Sequence, residues 1–141
     1  MKFLKFILNL KQAYKLYFAT KERDTELDSL LTTFRQYSFN DGRYSFTTCV
    51  LGNPLKDAGT AVRLIQHYGL ELHIGMGYVD CRAVLPKSKW QNPINRSISS
   101  FDYGTFTPMN PDEVEDIVGF GRTVNEAVVK CLINAKIASI I

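Results

Sequence analysis

The sequence predicts an α+β protein: one central antiparallel or mixed sheet covered by helices, an α/β/α sandwich-like arrangement with an N-terminal helical extension. Three observations carry this. Apolar residues recur at helical spacings of three and four in the opening stretch, in 54–68 and in 124–138. Between these lie short runs with the two-residue period of strands, around 43–51 and 70–85. Asn40-Asp41-Gly42 and Gly75-Met76-Gly77 punctuate the runs as turns. The expected division is a helical extension over 1–38 and a sandwich domain over 39–141.

Taken in order, the opening MKFLKFILNLKQAYKLYF places Phe3, Ile7, Leu10, Tyr14 and Tyr17 along one helical seam. Lys5 and Lys11 interrupt its apolar run and no small-residue cleavage site follows, which argues against a signal peptide. It is too short and too charged to span a bilayer. Such a helix could lie on an anionic membrane; packing on its own domain or on a partner subunit is the expectation. Lys21-Glu22-Arg23-Asp24 breaks the pattern, and Thr25 then caps a second helix through Leu27, Leu30, Leu31 and Phe34. Arg43 to Leu51 alternates as a strand. Asn53 caps the next helix with Pro54 in its first turn, and Leu55, Ala58, Val62 and Ile65 form its apolar stripe. Gly69 ends it as a left-handed residue.

A hairpin follows, with Leu70, Leu72, Ile74 and Met76 on one face of its first strand and the glycine turn at 75–77 leading into its second. Pro86 to Asn95 reads as a polar loop holding the only tryptophan, Trp90. Two further strands are expected, one within 97–108 and one at 115–120. The last helix opens at Thr123, whose hydroxyl can accept the Glu126 N–H while Glu126 reaches back, a capping box. Its core stripe is Val124, Ala127, Val128, Cys131, Leu132, Ala135 and Ala138.

At 141 residues with 45% apolar and 22% charged side chains, the chain fits one soluble globular unit rather than a disordered one. A net charge of +3 and a pI near 8.8 permit anionic ligands without demanding nucleic acid. Cys49, Cys81 and Cys131 are widely spaced and odd in number, which suits buried free thiols in a reducing cytoplasm rather than a disulfide framework or a metal site.

NPLKDAGTAVRLIQHYGLELHI, a hairpin, and then GRTVNEAVVKCLINA resemble the phage ABA-sandwich domain family. Asn53, Pro54, Asp57, Ala58, Tyr68, Leu70, Thr123 and Ala127 occupy the family's motif places, and the fit covers roughly residues 50 to 138. The tryptophans that members often carry are replaced near Arg63 or Leu64 and near Cys81 or Ala83. The resemblance implies a small phage-encoded protein with helices around a central sheet, residing in the host cytoplasm; the family has no established shared activity. In outline, a helix, three strands and a helix opening after the basic turn GFGRT is also similar to a double-stranded-RNA-binding domain.

Arginines are the expected anion contacts, because a guanidinium grips phosphate through two parallel hydrogen bonds. The candidates are Arg43, Arg82, Arg96 and Arg122. Trp90, Phe101, Tyr103 and Phe106 are the expected stacking residues. GFGRT lacks the spacing and lysine of a phosphate-binding loop, so its glycines read as part of a helix start, with Arg122 beside it as the residue offered to an anion. His67, His73 and Cys81 show no nucleophile–base spacing, and no ligand pair fits a metal. With the resemblance, the expected function is non-enzymatic and without a cofactor: a homo-oligomeric phage accessory protein, with no membrane partner, that binds a small nucleotide-like anion or a host protein in antiphage defence. The alternatives are a nucleic-acid-binding module and a homo-oligomeric assembly protein using the first helix.

Overall fold

The computed structural model describes residues 2–39, 52–75, 81–94, 114 and 116–141. The strands expected at 43–51 and within 97–108 lie outside the described residues, as does most of the 75–80 turn. The described elements are α1 (Lys2–Phe39), α2 (Ala58–Tyr68), β1 (Glu71–Ile74), β2 (Cys81–Pro86), β3 (Asp116–Gly121) and α3 (Val124–Ile137). The class is α+β, with the three strands in the order β1-β2-β3 and both pairings antiparallel. Two compact units divide the chain, Met1–Leu30 and Leu31–Ile141.

The first unit is helical from Lys2 onwards. One unbroken helix replaces the two expected, because Lys, Glu, Arg and Asp are compatible with a helix and the first glycine is Gly42. Arg23 and Glu26 bridge the expected break at 3.1 Å, and Thr25, expected as a cap, instead donates its hydroxyl back to the Lys21 carbonyl at 3.0 Å. Most apolar side chains of its first half stay in solvent: Phe3 is 74% exposed and Leu16 71%, while Ile7 is half-buried.

In the second unit, α3 lies across β2 and β3. Cys81, Ala83 and Leu85 of β2 stand opposite Gly121, Gly119 and Ile117 of β3, and all six are buried on the face that α3 covers. The two glycines set how close the helix comes. A Cβ on Gly119 would sit 2.2 Å from the Cys131 nitrogen, and one on Gly121 would sit 2.6 Å from the Ala127 nitrogen. Neither has the left-handed φ that favours glycine; among the described glycines only Gly69 does, at 73°, where it ends α2 as expected. The glycine pair of GFGRT is thus a seat for a helix backbone.

α3 is buried on nearly every side, including Asn134, whose amide donates to the Val118 carbonyl at 2.8 Å. Cys81 and Cys131 are both free and buried, as small apolar groups. Burial pushes the Cys131 thiol up to about 12.

Two expectations about α2 are corrected. Asn53 does not cap α2: its side chain accepts the Leu55 N–H, closing a turn over 53–57, and Asp57 caps the helix by accepting the Gly59 N–H at 3.2 Å. The Asp57 carboxylate also accepts the Thr60 hydroxyl at 2.7 Å, which holds its pKa below the ordinary value. The buried stripe of α2 is Ala61, Leu64 and Tyr68, whereas Val62 is 51% exposed. On β1, Leu72 and Ile74 share the face of Ala83 and Cys81 yet remain exposed, because α3 covers β2 and β3 rather than β1.

Candidate cationic row on the sheet

Side chains alternate along a strand, so the face opposite α3 carries the other half of each strand. Strand register places His73, Arg82 and Phe120 in one row across the sheet. The next row is Glu71, Val84 and Val118. Arg82 is exposed and has no ion-pair partner among the described residues, and Phe120 is 37% exposed beside it. His73 stands on Arg82's other side, with its Nε2 3.8 Å from Glu71 Oε2. The row thus sets a guanidinium, an imidazole and an aromatic ring side by side.

Arg122 follows β3 directly, two residues beyond Phe120, Arg82's cross-strand partner. Two strand residues span about 7 Å, so the two exposed arginines occupy one end of the sheet. Trp90 is placed elsewhere. Its indole N–H donates to the Leu85 carbonyl at 3.1 Å, towards the opposite end of β2, and Lys87 Nζ stands 5.8 Å from its ring centroid. Half-buried, it anchors the 3-10 turn at Lys87–Lys89. The chain beyond that turn is tied down further: the Gln91 and Asn92 amides both donate to the Ile140 carbonyl. Arg43, Arg96, Phe101, Tyr103 and Phe106 lie outside the described residues.

The start of α3 is occupied by its own side chains. Thr123 accepts the Glu126 N–H at 3.2 Å, as the capping box requires. The reciprocal bond lands one residue earlier than expected, on the Arg122 N–H, which donates to Glu126 Oε2 at 3.1 Å. Glu126 is nearly buried and pairs with Lys130 at 2.9 Å. An incoming phosphate would meet that carboxylate, so the helix start serves the fold.

His73 and Phe120 were not expected beside Arg82. Their signal is strand register, which the residue pattern of each strand taken alone leaves open. Among the described residues no group of three or more His, Cys, Asp or Glu side chains could hold a metal, and no helix is long and apolar enough to cross a membrane. A three-stranded antiparallel sheet with a helix seated on one face and an exposed arginine on the other is the class as far as the fold carries it. No protein-family model matches the chain, and neither a curated protein nor a solved structure is similar to it.

Proposed function

We propose that the protein is a non-enzymatic binding module whose sheet face takes a small nucleotide-like anion, with Arg82 and Arg122 on the phosphates and Phe120 against the base or sugar. On the resemblance to the phage ABA-sandwich family, such binding would serve to sequester a nucleotide signal of host defence. The observation that supports the reading is the row His73–Arg82–Phe120, with Arg122 two residues beyond Phe120 in the chain. Exposed guanidiniums beside a ring match the two chemistries of a nucleotide. The test is thermal stability against a panel of cyclic nucleotides and ADP-ribose derivatives. A ligand at 100 times its Kd adds about 2.7 kcal/mol of stability, and Arg82→Ala should abolish that gain without lowering the unliganded melting temperature. No stabilisation across the panel, or a gain that survives Arg82→Ala with Arg122→Ala, would remove the proposal.

A second reading is contact with duplex RNA. The order α2, β1, β2, β3, α3, with the strands adjacent in sequence order, favours it. Binding driven by phosphates should weaken by orders of magnitude between about 50 and 200 mM salt; a flat or absent response counts against it.

A further inference from the structure

The first half of α1 has a surface that the sheet site does not use. Phe3, Leu4, Phe6, Leu8, Leu10 and Leu16 are each between 56% and 74% exposed. Six large apolar side chains left in solvent on one short stretch of helix are more than scattered single residues. At about 100° per residue, Phe3, Phe6 and Leu10 fall within an arc of roughly 60°. Lys2 and Lys11 flank that arc at either side, and Leu4, Leu8 and Leu16 lie among Lys5, Lys11 and Lys15 on the rest of the helix. Lys21 falls on the arc and closes it.

Charge decides what covers this surface. Residues 2–21 hold five lysines and no carboxylate, and the acidic residues of α1 begin only at Glu22. A second copy laid parallel would set lysines against lysines. A helix lying in a membrane interface buries a wide arc, and its flanking lysines extend their stems along the apolar surface to reach the headgroups.

We propose that residues 2–21 of α1 dock flat onto an anionic lipid surface, apolar arc down, with the lysines on the headgroups. This is surface association of a helix too charged to span the bilayer, and it is independent of the sheet site. The experiment is co-sedimentation of the full chain with vesicles of phosphatidylcholine alone and of phosphatidylcholine with about 30% phosphatidylserine, over a salt series. The expected result is binding to the anionic vesicles that falls as salt rises, with little on neutral ones. Lys5→Glu/Lys11→Glu/Lys15→Glu should weaken it at least tenfold while the thermal melt of the chain is unchanged. Equal partition onto neutral and anionic vesicles overturns the proposal. So does absence from both, accompanied by a solution mass that rises with concentration and is lost in Phe6→Gln/Leu10→Gln; that outcome assigns the face to a second copy. The lipid series on the unaltered chain decides the matter even where a variant fails to fold.

Discussion

Gly119→Ala should be the most damaging single methyl in the described fold. The added Cβ would lie 2.2 Å from the Cys131 nitrogen and 2.6 Å from the Ala127 oxygen. Those two atoms are the donor and acceptor of one i→i−4 hydrogen bond, so the methyl strikes the helix ladder itself. Ordinary contact begins near 3.4 Å, and the helix backbone has to recede about 1.2 Å to restore it. A gap of that order forfeits a quarter to a half or more of each dispersion contact along the seam. Ile117, Ala127 and Cys131 all lie on that seam and are fully buried. Overpacking usually costs 1–3 kcal/mol; with backbone on the receiving side the expected loss is about 3 kcal/mol or more. That is a large share of the roughly 5–15 kcal/mol a domain has. The assay is urea unfolding followed by helix circular dichroism, reading a lower midpoint at constant slope. Gly59→Ala is the control, since its Cβ would meet nothing nearer than 3.6 Å in an exposed turn of α2; it should be neutral or gain about 0.5 kcal/mol. A loss below about 1 kcal/mol for Gly119→Ala would refute the close-approach reasoning.

Glu126→Ala removes both the acceptor of the Arg122 N–H and the partner of Lys130 from a nearly buried position, and should cost about 2–3 kcal/mol by denaturant unfolding. Thr123→Ala removes the cap and should cost about 1 kcal/mol, whereas Arg122→Ala, at an exposed position, should stay within about 0.5 kcal/mol. Cys131 ionises near pH 9.0 when unfolded but only at about 12 when folded. Its contribution is therefore intact below pH 9 and lost as pH rises from 9 towards 12. In the native protein it should resist alkylation until the domain unfolds, as peptide mapping after a labelling pulse would show.

What the chain discloses by itself is local. The Thr123 cap and the αL Gly69 were legible because each needs only a few neighbouring residues. The break at Lys21–Asp24 was misread because charged residues mark a change of surface, which a helix can carry without ending. On α2, the stripe through Val62 and the stripe through Ala61 and Leu64 have the same helical spacing, and only the packing of the domain chooses between them. Leu72 and Ile74 alternate like a buried strand face, but the width of one helix decides which strands are covered. The candidate site is less legible still: Arg82 and Arg122 were recognisable as residues, while their proximity and their neighbours His73 and Phe120 follow from strand register.

The Asn125 side chain donates to the Pro54 and Asp57 carbonyls, both at 2.8 Å, across 71 and 68 residues of sequence. So long a loop is entropically costly to close before the sheet exists. The two bonds therefore belong late in the order of folding events, after β2, β3 and α3 have met. Asn125→Ala should then leave the refolding rate nearly unchanged and appear almost wholly as faster unfolding. In that sense the amide acts on the lifetime of the folded state, as a latch closed last and opened first.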